Sequence, residues 1–267
     1  MFDSGVGGLT VLHECLVSLP EEDYVYLGDT EWFPYGTKDT AALRERIGSI
    51  AELLLRGGAK LLVIACNTAT AIGEDVAREV AAAHGVEVVP VVAPQAEIAA
   101  AITDNGHVGV LATPNTVRSG SYRRALERQG RPLAVTEVEA PDLAPFIQNG
   151  SPFDDGVLEM ARGYCAPLRR AEVDTLILGC THYPLVAPML QRILGRDVRL
   201  VSGGHAVAAA AQRTLERGGL AREPDGEGEY RFLCSGDVDS FRELGTRFLQ
   251  MPLGEIERVA VDGADYP

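Results

Sequence analysis

The sequence has little of what marks several common protein classes. It contains two lysines, Lys38 and Lys60, and neither lies in a loop suited to hold a phosphate group. No run of about 18 consecutive apolar residues occurs, which argues against a membrane-spanning helix. The first residues, MFDSGVGG, lack the basic start and the long apolar stretch of a signal peptide. We therefore expect a cytoplasmic protein that requires neither pyridoxal phosphate nor a nucleotide.

The five cysteines are too scattered to form a disulfide or metal framework. None belongs to a CxxC pair, and no group of cysteines and histidines has the spacing of a zinc finger. An odd number of separate thiols is typical of a reducing compartment. The sequence therefore predicts no metal site and no cofactor. Cys15, Cys165 and Cys234 fall inside predicted helices or a strand, and we interpret them as packing residues.

A surplus of basic residues is also missing. The chain of 267 residues has a formal net charge of −14, which argues against nucleic acid and anionic membrane surfaces as partners. Hydrophobic residues make up 46% of the chain and charged residues 23%, as in ordinary globular proteins. An anionic substrate has to be held by local hydrogen-bond donors, because the field of the whole molecule repels it.

What is present is an alternation of short β-branched runs with longer stretches of helical periodicity. This alternation predicts βαβ units and an α/β fold with mostly parallel sheets. The predicted strands are 24–27, 61–65, 86–92, 108–111, 134–137, 175–178, 198–201 and 230–234. The predicted helices are 10–18, 40–56, 72–84, 95–104, 119–128, 155–170, 186–194, 206–218 and 238–249.

Two segments of the sequence resemble each other. LLVIACNTATAI (61–72) and TLILGCTHYPLV (175–186) each contain a buried strand, a cysteine, a threonine-bearing turn and the start of a helix. A weaker similarity relates MFDSGVGGLTV to VGVLATPNTV (108–117). The repeats predict two similar α/β domains related by a pseudo-twofold axis, with the active site in the cleft between them. We expect the first domain to comprise residues 1–92 and 204–267, and the second residues 93–203.

The two matching cysteines, Cys66 and Cys180, are the strongest candidates for chemistry. Each alone can be a buried packing residue, and Cys180 alone can also be a metal ligand. Ligands of open α/β sheets bind outside the carboxyl ends of strands, so both cysteine turns are expected to face one cleft. One thiol on each face of a carbon atom can invert a stereocentre, because one removes a proton while the other supplies one. We expect the helix after each cysteine to favour its thiolate form.

Polar residues beside the same strand ends can assist proton transfer. Asp3 and His182 are candidates to carry or orient protons. Asp3 and Ser4 can also accept hydrogen bonds from an ammonium group. The surrounding DSGVGG lacks the last glycine of a dinucleotide loop, since Thr10 stands there. We interpret this stretch as a tight turn between a strand and a helix.

Further residues near the cysteines suit the carboxylates of an amino acid. Donors for an α-carboxylate are offered by Asn67, Thr68 and Thr181. The turn FPYG (33–36) offers the Tyr35 hydroxyl and the Gly36 N–H for a second carboxylate. An amino acid with an acidic side chain therefore fits the composition of the expected site.

Five motifs carry a resemblance to the glutamate racemase family: DSGVGGLTV, YLGDTEWFPYG, VIACNTATA, LATPNTVRSGSY and LGCTHYPL. They occur in the family's order and span most of the chain. The resemblance implies the aspartate/glutamate racemase fold and a cofactor-independent enzyme, usually a homodimer, that makes D-glutamate for peptidoglycan and thereby supports cell wall biogenesis and cell shape. It implies that Cys66 and Cys180 are the proton donors and acceptors. It also implies substrate-binding or assisting roles for Asp3, Ser4, Tyr35, Gly36, Asn67, Thr68, Thr113, Thr116, Thr181 and His182.

The sequence departs from the family pattern at three places. Only Met1 and Phe2 precede the DSG motif, where the family has a longer apolar strand, so we expect a weakened strand before Asp3. Gln148 stands where the family often has glutamate, which removes an acidic group able to assist proton transfer. Ser202 stands where the family has aspartate. These departures bear on the rate and pH dependence rather than on the type of reaction.

The expected reaction is proton transfer at the α-carbon of glutamate. The Cys180 thiolate is expected to take the proton from L-glutamate while Cys66 protonates the opposite face. Two alternatives stay open: a racemase for aspartate or another amino acid, and a catalytically weakened amino-acid-binding regulatory protein. The FPYG and TPNTV turns favour glutamate. The presence of both cysteines disfavours a decarboxylase that uses one.

Overall fold

The computed structural model of the protein describes residues 1–149, 155–223 and 226–261. Within these ranges no helix combines the length and the apolar character needed to cross a membrane.

The described strands form two parallel sheets. In chain order the strands are β1 (Phe2–Asp3), β2 (Tyr24–Gly28), β3 (Leu61–Ile64), β4 (Glu87–Pro90), β5 (His107–Ala112), β6 (Ala134–Glu139), β7 (Thr175–Gly179), β8 (Arg199–Val201), β9 (Tyr230–Cys234) and β10 (Ile256–Arg258). The first sheet has the order β10-β9-β2-β1-β3-β4, and the second has the order β6-β5-β7-β8. The central strands β1, β5 and β7 are almost fully buried, as expected for parallel sheets that are covered on both faces, while the edge strands β6, β8 and β10 are more exposed.

Helices connect the parallel strands. They are α1 (Leu9–Ser18), α2 (Thr40–Arg56), α3 (Asn67–Ala83), α4 (Val92–Ile102), α5 (Pro114–Ser119), α6 (Ser121–Glu127), α7 (Leu143–Asn149), α8 (Asp155–Arg170), α9 (Ala187–Leu194), α10 (Gly203–Gly218) and α11 (Val238–Leu249). In α2, Leu43, Ile47 and Ile50 follow a helical spacing and are fully buried, which places one face on the first sheet. The Asp39 carboxylate accepts the N–H groups of Ala41 and Ala42 and so caps this helix.

Several predicted boundaries were wrong, and three elements were missed. The strand predicted at 86–92 ends at Pro90, and α4 begins at Val92 instead of residue 95. Helix α3 begins at Asn67 instead of residue 72, since Cys66 caps it. The missed elements, α5, α7 and β10, have six, seven and three residues. Such short elements hold too few residues to show a period in the sequence.

The short first strand is nevertheless central. Strand β1 pairs with β2 on one side and with β3 on the other. The Met1 carbonyl accepts the Leu27 N–H at 2.9 Å, and the Phe2 carbonyl accepts the Ala65 N–H at 3.0 Å. The pairing on both sides fixes the position of Asp3. That the strand is weakened relative to the family stays a prediction.

The two sheets divide the chain in the pattern that the internal repeat predicts. Strands of the first sheet lie within 2–90 and 230–258, and those of the second within 107–201. The larger apolar core contains side chains of both sheets, including Val63 and Ile177. Helix α3 packs against α5, and α4 packs against α10. The domain boundaries at 92–93 and 203–204 stay a prediction.

Candidate active site

The carboxyl ends of four strands converge on one small cavity. Ser4 follows β1, Cys66 follows β3, Thr113 follows β5 and Cys180 follows β7. Phe33, Pro34 and Ala144 complete the wall. Ten of the residues predicted from the sequence line it: Ser4, Tyr35, Gly36, Cys66, Asn67, Thr68, Thr113, Cys180, Thr181 and His182. Two others, Asp3 and Thr116, lie behind this lining and contact it through hydrogen bonds. The two thiols thus come from different sheets and face the same space.

This cavity is small. Its volume is about 20 Å³, which is room for about one water molecule. Larger depressions occur elsewhere, one of about 350 Å³ among Met1, Cys15 and Lys60, but that one contains neither Cys66 nor Cys180. An amino acid can enter the cysteine cavity only if its walls separate, because a ligand of several heavy atoms exceeds the volume available.

Cys66 is the N-cap residue of α3. Its Sγ accepts the Ala69 N–H at 3.4 Å. The pKa of the thiol is raised to about 12, mainly by burial and also by the nearby Asp3 carboxylate, while hydrogen bonds from Ala69 and Ser4 oppose the rise. The Ala69 N–H at the start of α3 favours the thiolate, as expected, but the loss of hydration on burial outweighs this contribution.

Cys180 has a different set of neighbours. Its Sγ lies 3.7 Å from Nδ1 of His182. The other ring nitrogen, Nε2, lies 2.9 Å from the amide oxygen Oε1 of Gln148 on α7. An amide oxygen only accepts, so Nε2 carries the proton and Nδ1 is left to accept from the thiol. Burial raises the pKa of Cys180, as it does for Cys66.

The His182 imidazole sits between two aromatic rings. The ring centroid of Phe33 is 5.3 Å from it, and that of Phe248 is 5.1 Å from it in an edge arrangement. Burial lowers the pKa of His182 to about 3, because the imidazolium form is poorly solvated there. The residue is therefore a neutral hydrogen-bond acceptor toward Cys180 near neutral pH.

Asp3 lies on the Cys66 side of the site, fully buried at the end of β1. Its carboxylate accepts the Gly5 N–H at 2.9 Å and the Thr181 hydroxyl at 3.2 Å. Burial raises the pKa of Asp3, while hydrogen bonds from Gly5, Thr181 and Cys66 oppose the change. Asp3 thus connects the Cys66 thiol with the turn that carries Cys180.

Two predicted carboxylate donors are already engaged. The Tyr35 hydroxyl donates to Asp29 at 2.6 Å, and Arg46 pairs with the same buried carboxylate. Both N–H bonds of the Asn67 amide donate within the protein, to Gln95 and Tyr122. Without substrate, the Tyr35 hydroxyl and both N–H bonds of the Asn67 amide thus have acceptors within the protein. Their assignment as carboxylate donors stays a prediction, which requires these hydrogens to change acceptor when a ligand binds. Tyr35 and Asn67 contact the cavity through their remaining atoms.

Three threonine hydroxyls form a closed group on one wall. Oγ1 of Thr68 lies 2.9 Å from that of Thr113, which lies 3.0 Å from that of Thr116. The Thr116 hydroxyl in turn donates to Thr68 at 3.2 Å. Hydroxyl hydrogens can rotate, so this group can redirect donors toward an anionic ligand.

The glycine-rich turn after Asp3 allows close packing against this site. A side chain at Gly7 would collide with the Thr181 hydroxyl and the His182 ring. Gly36 similarly lies against the side chain of Thr113. The turn therefore acts as a tight connection between β1 and α1, as predicted, and its glycines let two walls of the cavity meet.

Comparison with known proteins decides the family. A sequence profile described as Asp/Glu/Hydantoin racemase matches residues 12–211. The glutamate racemase of Mycobacterium tuberculosis is 41% identical over 260 residues, which cover 97% of this chain and 94% of that protein. The chain belongs to the Asp/Glu racemase family. The resemblance carried by the five sequence motifs is thereby confirmed.

Solved structures of glutamate racemases share the fold of this Asp/Glu racemase family member. An isoform from Bacillus anthracis matches with a TM-score of 0.92 at 33% identity, covering 97% of this chain and 96% of that one. The Francisella tularensis protein, solved in complex with D-glutamate, matches with a TM-score of 0.91 at 31% identity, covering 98% and 97%. The predicted fold of two similar, mostly parallel α/β units is confirmed.

Some residues of this Asp/Glu racemase site were missed in the sequence or given a different role. Gln148 was noted only as the loss of an acid, yet it hydrogen-bonds the imidazole of His182. Gln95 and Tyr122 were not singled out, although both contact Asn67. They lie within predicted helices, so no sequence signal separates them from packing residues. Ser202 lies outside the lining of the cysteine cavity.

Proposed function

We propose that this protein interconverts L-glutamate and D-glutamate by proton transfer at the α-carbon. The observation that carries the proposal is the placement of two thiols from two sheets, Cys66 and Cys180, on one cavity. Family membership and the likeness to glutamate racemases support glutamate as the substrate. The absence of a requirement for a cofactor stays a prediction from the sequence.

In the direction from L-glutamate, the Cys180 thiolate removes the α-proton and becomes a thiol. The Cys66 thiol gives its proton to the opposite face of the carbanion and becomes a thiolate. The product is D-glutamate, and one proton has been taken and one returned. The reverse reaction starts from the Cys66 thiolate, so the two thiols exchange roles.

The buried thiols need help to ionise, since burial raises the pKa of both. The α-ammonium group of a bound amino acid supplies a positive charge inside the cavity and stabilises a thiolate. On one side His182 Nδ1 can accept the Cys180 proton. On the other side Asp3 is the adjacent base for Cys66. Proton removal is thereby coupled to substrate entry.

Closure of the walls favours this chemistry. A dry cavity strengthens the interaction of the developing carbanion with nearby donors and keeps water away from the thiolates. Hydroxyls of Thr68, Thr113 and Thr181 are the local donors that an anionic substrate needs in a chain of net charge −14.

The wider role follows from the substrate. Likeness to glutamate racemases supports the supply of D-glutamate for peptidoglycan synthesis. We further propose that the protein is cytoplasmic, because its thiols are unpaired, and that it is a homodimer, as the family resemblance implies.

The test is racemisation of L-glutamate in D2O, followed by optical rotation and by NMR of the α-proton. We expect rotation to decay to zero, with early D-glutamate deuterated at Cα while the remaining L-glutamate keeps its proton. This pattern requires different bases on the two faces, because a single base would return the abstracted proton to the product. L-Aspartate in the same assay is expected to react far more slowly. A folded protein that neither exchanges nor racemises glutamate would overturn the proposal.

A further inference from the structure

Gln95 is a buried polar residue in the helix that leads from the first sheet to the second. It is fully buried on α4, which follows β4 and precedes β5. A polar side chain with no exposure is costly unless its hydrogen bonds are satisfied. Gln95 satisfies them with groups from both cysteine-bearing parts of the site.

The nitrogen of Gln95 fixes the orientation of its amide. Nε2 donates to the Leu178 carbonyl at 3.2 Å and to the Val201 carbonyl at 3.3 Å. Carbonyl oxygens only accept, so the nitrogen must face β7 and β8, and the oxygen must point the other way. Both N–H bonds of the side chain are thereby used.

The oxygen of Gln95 then dictates the orientation of Asn67. Oε1 accepts from the Asn67 amide nitrogen at 2.9 Å and from the Tyr122 hydroxyl. The Tyr122 oxygen also accepts from Asn67, at 2.6 Å. With both of its N–H bonds directed into the protein, Asn67 has its own oxygen, Oδ1, left for the cavity that it lines. That oxygen is an acceptor, which suits an α-ammonium group.

The same network reaches the other thiol. Leu178 lies two residues before Cys180 on the strand that carries it. The Tyr122 ring packs against Gly179, the residue directly before Cys180. One side chain is therefore bonded both to the neighbour of Cys66 and to the strand of Cys180.

We propose that Gln95 is a positioning residue for racemisation, which orients Asn67 toward the substrate ammonium group and fixes strand β7 beneath Cys180. This inference rests on the proposed function. The Gln95 amide then has two separable roles. Its oxygen orients Asn67 for substrate binding, and its nitrogen holds the strand that positions the Cys180 thiol.

Three variants separate these tasks. Tyr122→Phe removes a partner of Asn67 and leaves the bonds from Gln95 to β7 and β8. Gln95→Glu keeps an acceptor for Asn67 and Tyr122 but cannot donate to the two carbonyls when ionised. Gln95→Met keeps the volume and removes all four bonds. Gln212, on the exposed side of α10 with Glu216 as partner, provides the control variants Gln212→Glu and Gln212→Met.

Kinetic constants report each task. For Tyr122→Phe we expect KM to rise about fivefold with kcat nearly unchanged, because the ammonium contact acts equally in ground and transition states. For Gln95→Glu we expect kcat to fall about tenfold with KM nearly unchanged, and part of this loss to recover at lower pH, where the carboxyl group can donate. Gln95→Met is expected to show both effects, and the Gln212 variants neither.

Near-UV circular dichroism and thermal unfolding establish that each variant is folded. Tyr122→Phe keeps the aromatic ring against Gly179. This variant therefore tests the role of the network in substrate binding even if the Gln95 variants are unstable. Wild-type values of kcat and KM in the folded variants would overturn the inference while leaving the proposed function intact. A wild-type protein that fails to racemise glutamate would instead overturn the proposed function.

Discussion

The two thiols occupy equivalent places in similar α/β units, yet their surroundings differ. Cys66 lies beside the Asp3 carboxylate and accepts an N–H from α3. Cys180 lies beside a neutral imidazole, whose second nitrogen bonds to the Gln148 amide. A symmetric reaction is thus assigned to two chemically different bases. The internal repeat therefore determines where the two thiols lie, while unrelated segments of the chain supply the neighbouring groups that shift their pKa values.

The largest loss of activity is expected when either of the two thiols is replaced. Cys66→Ser and Cys180→Ser should each lower the rate of racemisation at least about a thousandfold, because a serine hydroxyl does not ionise in this cavity. Initial rates from both enantiomers measure the loss. Cys165→Ser is the matched control, since Cys165 is also a buried thiol but lies on α8. Near-normal activity in either of the first two variants would rule out the mechanism in which both thiols transfer protons.

Smaller losses of activity should reveal that the two thiols have different assisting groups. Asp3→Asn weakens the Cys66 side and His182→Asn weakens the Cys180 side, and each should lower kcat/KM about a hundredfold. Enantiomers have equal free energy, so kcat/KM must fall equally in both directions. The asymmetry has to appear in primary isotope effects measured with L- and D-glutamate deuterated at Cα.

The direction of these isotope effects follows from the proposed roles. His182→Asn should raise the effect for deuterated L-glutamate, because transfer to Cys180 becomes slower. Asp3→Asn should raise the effect for deuterated D-glutamate, because transfer to Cys66 becomes slower. Two variants that both raise the effect for the same enantiomer would contradict the assignment of one base to each face.

Sequence patterns were sufficient for the parts of the molecule that depend on local periodicity. Apolar runs such as LLVIA and TLILG predicted buried parallel strands, and these are β3 and β7. Their repetition predicted that Cys66 and Cys180 lie at equivalent strand ends. Both thiols line one cavity, as the arrangement of parallel strands requires.

Properties that depend on packing between distant segments could not be predicted. Gln148 meets His182 from a helix whose seven residues show no clear period. The Tyr35 hydroxyl is engaged by Asp29 through a loop conformation that the turn residues alone do not define. Helix α3 lowers the pKa of Cys66 through the Ala69 N–H, as its position predicts, but burial, which depends on tertiary packing, raises the pKa overall.

The smallest effect is predicted for a substitution that makes the surroundings of Cys180 resemble those of Cys66. Gln148→Glu places a carboxylate beside His182, as Asp3 lies beside Cys66. Burial holds the pKa of His182 at about 3, and the new carboxylate should raise it by stabilising the imidazolium. Nδ1 accepts from Cys180 only above that pKa, so the acid limb of the kcat/KM profile should move to higher pH. Activity well above neutral pH should change little.

Stability provides an independent readout of the same substitution. The pKa of His182 is lower in the folded protein than its value of about 6.5 in an unfolded chain, so between these values the unfolded chain binds the extra proton. The unfolding free energy of the wild type should therefore be intact above about pH 6.5 and decline as the pH falls toward 3. Gln148→Glu should weaken this decline, and Gln212→Glu on exposed α10 should leave it unchanged. A Gln148→Glu variant with wild-type pH profiles for both activity and stability would mean that the Gln148 amide does not control the protonation of His182, and the two thiols would then differ by less than their neighbours suggest.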